Sequence, residues 1–295
     1  MKHIEITATF AKALLPSRPE NGNKGTFGRA FAYVGSEKFP GAAHLVTEAM
    51  LRGGCGYTEI MGTEELIQSL LAKFPEAIYR KLPPTQNLKG GEITKICLRS
   101  AESDATLIGS GSGCSKALAE ITEMLISLDT ESTLIIDADA INSLAKYSDI
   151  NKIFAASKRR IILTPHEMEF SRISKIPLDK ISSNRVKSAE AFAKSTSTTI
   201  VLKGNKTVIT NGSTTYVNTT GSSALAKGGS GDALAGLMVS IAASSKASTT
   251  DIAALACYIH GFAGDRLSEI YSEYGVTPSD LPREMAKTMR MLTCG

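Results

Sequence analysis

The sequence predicts an α/β protein built on a central, mostly parallel β-sheet with helices on both faces. Two observations carry this. Short apolar runs closed by glycine or a turn residue alternate with segments of helical spacing, as in "AFAYVGS" then "AAHLVTEAMLRGG" and "ATLIGSGSG" then "KALAEITEMLISL"; such alternation marks βαβ units. The strand runs are continuously apolar, as strands covered on both faces require.

The rhythm continues through "TLIIDADAINSLAK", "RRIILTPHEMEFSRI" and "TTIVLKG". It breaks at "KTVITNGSTTYVN", where two β-rich pieces flank Asn211-Gly212, the strongest short hairpin signal. A late antiparallel hairpin is therefore expected. "DALAGLMVSIAAS" and "TTDIAALACYIHGFAGDRLSE" read as alanine-rich closing helices. "GSEKFPGAA" reads as the turn between the first strand and its helix, and "KLPPTQNLKGGEI" as a loop. No internal repeat and no Pro/Ser/Gly-rich linker divides the chain, so one domain over residues 1–295 is expected.

Composition narrows the function classes. The 295 residues are 42% hydrophobic and 21% charged with a formal net charge of +4, ordinary for a folded enzyme or binding domain. The basic residues are scattered rather than blocked, which argues against a nucleic-acid partner. Cys55, Cys97, Cys114, Cys257 and Cys294 form an odd set without a C-x-x-C pair, which argues for free thiols over a disulfide framework or zinc site. No signal-like h-region opens the chain, and no run approaches the roughly 18 apolar residues of a membrane span. A cytoplasmic protein with no membrane partner is expected.

The chemistry concentrates in "NTTGSSALAKGGSGDALAG". Gly228, Gly229, Ser230 and Gly231 leave main-chain N–H groups uncrowded at the positive end of the following helix, which makes an anion cradle. Asp232 stands at that helix start. It either caps the helix or acts as a base on a hydroxyl about to meet a phosphoryl group. Lys203, Gly204, Asn205, Lys206 and Thr207 follow a strand end, where open α/β sheets bind ligands; the simpler alternative is a solvated lysine. "ILTPHEMEF" places Thr164, Pro165 and His166 before a helix with Glu169 in its first turn. These are turn and dipole residues, or His166 reaches a ligand and Glu169 lies near a metal-bridged phosphate. "LIGSGSGCS" turns through Gly109, Gly111 and Gly113, a weak dinucleotide fingerprint. Asp137 and Asp139 of "IIDADAINSL" read first as helix-capping turn residues and second as a cation site.

Together, "KGTFGRAFAYVGS…PGAAHLVTEAMLRGGCGYTEI", "IGSGSG", "IIDADAIN", "ILTPHEMEF", "VLKGNKTVI" and the glycine-rich segment resemble the NAD(P)H-hydrate dehydratase family of the ribokinase-like superfamily, from about Lys24 to the closing helices. The resemblance implies a ribokinase-like fold and a repair enzyme that phosphorylates the hydroxyl of hydrated NADH or NADPH with ADP, or with ATP, and then releases phosphate. It implies Mg²⁺ with the nucleotide. It carries substrate contacts onto Ala42, Gly111, His166 and Asp232, nucleotide contacts onto Lys203 to Thr207 and Gly231, and the proton-accepting role onto Asp232. A homo-oligomer, a tetramer, is expected on the same ground. So is an epimerase on a separate polypeptide, because residues 1–295 leave no room for the N-terminal epimerase domain of some members. Two departures stand out. Glu167 and Met168 occupy the Pro-Gly of the family's T-P-H-P-G-E, and "NTTGSS" replaces N-P-T-G-N. The rival readings are a ribokinase-like kinase for a small vitamin precursor, which would release its phosphorylated product intact, and a nucleotide-sensing protein without turnover.

Overall fold

The computed structural model describes residues 3–294, the side chain of Cys294 excepted. The strands among them are β1 (Ile4–Glu5), β2 (Arg29–Tyr33), β3 (Tyr57–Gly62), β4 (Ile78–Lys81), β5 (Ala105–Ile108), β6 (Thr133–Ile136), β7 (Ile161–Leu163), β8 (Thr199–Leu202), β9 (Thr207–Thr210) and β10 (Thr215–Asn218). All join one sheet in the order β1-β10-β9-β8-β7-β6-β5-β2-β3-β4. Pairing is parallel throughout, except that β9 runs antiparallel to both β8 and β10. The expected hairpin is therefore present. Its turn is held by Asn211, whose Oδ1 accepts from the Ser213 and Thr214 amides at 2.9 Å.

Alternation along each strand explains the unbroken apolar runs. Ala30, Ala32, Leu107, Ile135, Ile162 and Val201 enter one buried cluster, while their neighbours Phe31, Tyr33, Ile108, Leu134, Ile136, Leu163, Ile200 and Leu202 enter the other. Both faces are covered, so neither sheet face selects polar residues.

Two helices of the first cluster position the site. Ser230–Ser244 packs against Pro40–Arg52 so closely that a Cβ at Gly236 would lie 2.6 Å from the Val46 carbonyl oxygen. Ser240 strengthens the contact, its hydroxyl donating to Met50 O at 2.9 Å and accepting from Cys55 N at 3.0 Å. Behind it runs the long helix Thr249–Gly275, capped by Ser248, with non-helical backbone at Ser272.

"KLPPTQNLKGGEI" proves only partly loop: Lys81 closes β4, Thr85–Asn87 makes a 3₁₀ turn and Gly90–Ala101 is a helix. Cys55, Cys97, Cys114 and Cys257 are free thiols; Cys294 lies outside the described side chains. Among the described residues no helix is long and apolar enough to cross a membrane.

Filling the closest helix contact tests this packing. Gly236→Val is expected to destabilise by about 1–3 kcal/mol through overpacking, read as a lowered urea midpoint at unchanged m-value; an unchanged midpoint would contradict the close approach.

Candidate active site

The C-terminal ends of β6, β7 and β8 open onto a cavity of about 800 Å³, where parallel α/β sheets bind ligands. Asp137 follows β6 and is buried. Its Oδ1 accepts from the Thr164 hydroxyl at 2.6 Å and the Lys203 ammonium at 3.1 Å, and its Oδ2 from the Ser110 hydroxyl at 2.8 Å. Asp137 sits at the N-cap of Ala138–Tyr147 but makes no side-chain capping bond. The capping expectation fails because three stronger donors take its oxygens. Asp139, in the first turn of that helix, instead accepts from the Gly113 amide at 2.8 Å. Ala138, between them, lines the cavity at φ +47°, a left-handed conformation that costs energy for a residue with a Cβ.

Lys203 is no solvated lysine. Only 20% of its side chain is exposed, and burial alone would lower its pKa; Asp137 and Glu169 outweigh that and hold it above the usual value. Its Nζ lies 3.4 Å from where a Gly231 Cβ would be, so the strand end and the glycine turn meet.

The turn itself is open. Gly229 is the N-cap at φ +102°, where a Cβ would approach Leu45 Cδ1 to 2.6 Å. In the first turn the Ser230 amide bonds Lys227 O and the Ala233 amide bonds Gly229 O, whereas the amides of Gly231 and Asp232 have no carbonyl partner among the described residues. Such free N–H groups are an anion site. Asp232 is half-buried, lines the cavity, and among the described residues makes neither a capping hydrogen bond nor an ion pair. Burial pushes its carboxyl up to about 7, with Asp137, Asp139 and Glu169 adding to the effect and Lys203 opposing it.

On the third wall, His166 caps Glu167–Ser174. Its Nδ1 accepts from the Met168 and Glu169 amides at 3.2 and 3.3 Å, and Glu169 answers by accepting from the His166 amide at 2.9 Å. Both expected roles are thus compatible, since His166 and Glu169 cap the helix and also line the cavity. With Nδ1 accepting, the remaining ring proton sits on Nε2, 3.4 Å from Glu169 Oε1. Burial lowers the His166 pKa, which keeps the ring neutral.

Lys203, Gly204, Asn205, Lys206, Thr207, Gly229, Ser230, Gly231, Asp232 and His166 all line the one cavity. Ala42, Gly111 and Gly228 do not; Ala42 and Gly111 pack on each other, a Gly111 Cβ position falling 2.5 Å from Ala42 Cβ. Three residues went unmarked in the sequence. Arg185 grips the Lys203–Thr207 turn, its guanidinium donating to Leu202 O and Lys203 O at 3.0 Å, to Lys206 O at 3.3 Å and to Asn205 O. Its Nε also faces Glu167 Oε1 at 3.0 Å, though without the straight line of a hydrogen bond. Glu167, one of the two departures, therefore ties the His166 wall to the Lys203 wall. His260, in the cavity lining, contacts Ser230 O at 3.0 Å and Ser230 Oγ at 3.2 Å through Nε2; burial lowers its pKa to about 4, so the neutral ring buttresses the glycine turn. Lys227 anchors the turn's other end on the carbonyls of Tyr274 and Val276.

Residues 32–287 match the sequence model of a family described as NAD(P)H-hydrate dehydratase. The chain belongs to the NAD(P)H-hydrate dehydratase family. A bifunctional NAD(P)H-hydrate repair enzyme of Thermofilum pendens is 29% identical over 286 residues, covering 94% of this chain and 53% of the relative. The chain thus spans about half the length of the bifunctional dehydratase relatives it matches. The crystal structure of an ADP/ATP-dependent NAD(P)H-hydrate dehydratase from Bacillus subtilis, co-crystallised with ATP and Mg²⁺, superposes at TM-score 0.85 with 28% identity over 99% of both chains. A ribokinase-like superfamily protein from Enterococcus faecalis superposes at TM-score 0.83 with 26% identity, covering 98% of this chain and 96% of the other. The dehydratase-family chain has the ribokinase-like fold its motifs implied.

The Arg185 grip has a direct readout. Arg185→Ala is expected to speed amide hydrogen exchange at Asn205 to Thr207 by about ten-fold or more, equivalent to about 1.4 kcal/mol. Arg185→Lys should restore little, because an ammonium lacks the planar fork. Unchanged exchange in Arg185→Ala would show that the turn holds itself.

Proposed function

We propose that this chain is an ADP-dependent NAD(P)H-hydrate dehydratase, acting on hydrated NADH or NADPH, with ATP as an alternative donor. The observation that carries the reading is Asp232: a half-buried carboxylate with no hydrogen-bond or ion-pair partner among the described residues, its pKa up to about 7, beside two main-chain amides that are likewise unpaired among them. A base poised near neutrality suits proton removal from a hydroxyl.

In this reading Lys203, Gly204, Asn205, Lys206 and Thr207 hold the nucleotide, and the free amides of Gly231 and Asp232 in the glycine turn carry charge developing on the transferred phosphoryl. Asp232 accepts the hydroxyl proton of the hydrate as its oxygen bonds to phosphorus and the bond to the nucleotide's leaving phosphate oxygen breaks. The new phosphate ester then loses phosphate from one ring carbon as the adjacent carbon gives up a proton to solvent, the C–H electron pair forming the restored ring double bond. His166 presents a neutral Nε2–H to the substrate, while Lys203 stands beside Gly231 as the nearby cation.

The donor set fits Mg²⁺. Among the described residues no group of three or more His, Cys, Asp or Glu could hold a metal ion alone, and Mg²⁺ at phosphate sites takes one or two carboxylates with phosphate oxygens and water. Glu169 lines the cavity and would supply such a carboxylate; the ion would offset phosphate charge. Family likeness supports a homo-oligomer, a tetramer, and a cytoplasmic setting. Residues 1–295 are read as one dehydratase domain.

Incubating hydrated NADH with ADP and Mg²⁺ is expected to restore reduced-nicotinamide absorbance with one phosphate released per turnover; a stable phosphorylated product would favour the small-molecule kinase instead. Asp232→Asn should lower kcat by about 10²–10⁴-fold while nucleotide affinity barely moves. In the parent, kcat/KM should rise with pH through about 7 as Asp232 loses its proton, a limb the variant lacks. Equal turnover in variant and parent would remove this mechanism.

A further inference from the structure

Arg185 opens the helix Arg185–Thr196 and stands outside the lining of the large cavity. Its side chain, 17% exposed, is buried against the turn between β8 and β9, which does line that cavity. The guanidinium donates to the carbonyls of Leu202, Lys203, Asn205 and Lys206. Every described peptide bond is trans, so the N–H of each peptide unit points opposite to its C=O. The first unit shows the consequence: Leu202 O faces Arg185, and the N–H across from it, that of Lys203, reaches the other way to Pro165 O at 2.9 Å. By the same inversion, holding the Lys203 and Asn205 carbonyls turns the amides of Gly204 and Lys206 away from the guanidinium. Neither amide has a partner among the described residues, and both residues line the cavity.

The turn needs such a hold. Lys206 sits at φ +56°, a left-handed conformation that costs energy for a residue with a Cβ. Gly204 takes φ +146°, and a Cβ there would fall 2.7 Å from Arg185 Nη2. Carbonyls bonded to a cation polarise their peptide units, which makes the opposite N–H groups stronger donors. Arg185 is held in turn by Glu167, whose Oε1 lies 3.0 Å from Arg185 Nε and whose Oε2 accepts from the Ser182 hydroxyl at 3.1 Å. Glu167 stands where the family motif has proline, which has no carboxylate to offer, so this support belongs to this chain.

We propose that Arg185 and Glu167 are positioning residues for the phosphoryl donor: Arg185 keeps the Gly204 and Lys206 amides turned to the cavity as hydrogen-bond donors to a nucleotide phosphate, and Glu167 keeps Arg185 in place. Both act through the turn and touch no reacting atom. Free amides on either side of a residue suit an anion better than a base or ribose. The identity of the donor, ADP or ATP, rests on the dehydratase reading.

Binding of ADP to the ligand-free protein tests this without turnover. In the parent, ADP is expected to move the Gly204 and Lys206 amide protons downfield, as for N–H groups that gain a charged acceptor; adenosine, which lacks the phosphates, should leave both unmoved. Arg185→Ala should weaken ADP binding by about ten-fold or more, the loss of one hydrogen bond to a charged group, and abolish both shifts. Arg185→Lys should rescue little, because an ammonium cannot hold four carbonyls. Glu167→Gln should weaken ADP by about two- to three-fold, as for a partly exposed pair, and add nothing in the Arg185→Ala background. Unmoved Gly204 and Lys206 amides in the parent, equal shifts with adenosine, or full ADP affinity in Arg185→Ala would overturn the proposal. Tighter ADP binding in Glu167→Gln would show that its charge merely repels the nucleotide and would overturn its part. A parent that shows the shifts but repairs no hydrate sinks the dehydratase reading alone, and one that repairs hydrate with ADP yet shows no shift sinks the Arg185 role alone.

Discussion

Four neighbouring strands deliver their C-terminal ends to one buried carboxylate. Ser110 follows β5, Asp137 follows β6, Thr164 follows β7 and Lys203 follows β8, and Ser110, Thr164 and Lys203 converge on Asp137 through hydrogen bonds of 2.6 to 3.1 Å. Removing one member of such a buried charged set costs about 3–5 kcal/mol because the other charge is left unpaired. The arrangement fixes loop positions that strand pairing alone would leave loose. It also engages the Lys203 cation with Asp137, so that Asp232 faces the cavity with several carboxylates around it and no partner of its own.

That imbalance links stability to function. Asp232 titrates above its ordinary value, so its ionisation opposes folding: the stability its protonated form contributes is present at low pH and lost as pH rises through about 7. The surrounding fold tolerates the cost through anchors outside the reacting centre. His260 holds the first turn from the long helix, Lys227 ties its approach to the chain after Tyr274, and Arg185 grips the opposite loop by its carbonyls. Stored strain at Ala138 belongs to the same pattern. Anion-binding amides and an uncompensated base can coexist only where the backbone around them is held this firmly.

The sheet was legible where strands are buried on both faces, because uninterrupted apolar runs such as "TLII" and "TIVL" have no competing interpretation between turn residues. The edges were not. β4 reads "IYRK" with half its residues exposed, and β1 is two residues long. β3 carries Glu59, fully buried against Arg80 and Arg99, and a charge inside a strand masks its apolar pattern. In the site, the glycine turn, Lys203 and His166 stood out because each sits at a strand–helix junction. Asp137 was visible but suggested a cap, since its three donors come from segments 27 to 66 residues away. Arg185 and His260 lie inside ordinary helical sequence, and only tertiary packing gives them their roles.

The central claim is that the Asp232 carboxylate is unpartnered and destabilised by its surroundings, and a titration of that group addresses it most directly. With ¹³C-labelled aspartate and Asp232→Asn to assign the resonance, the carboxyl carbon of the ligand-free protein should titrate with a midpoint of about 7. A midpoint near 4, the ordinary range of an exposed aspartate, would contradict the account.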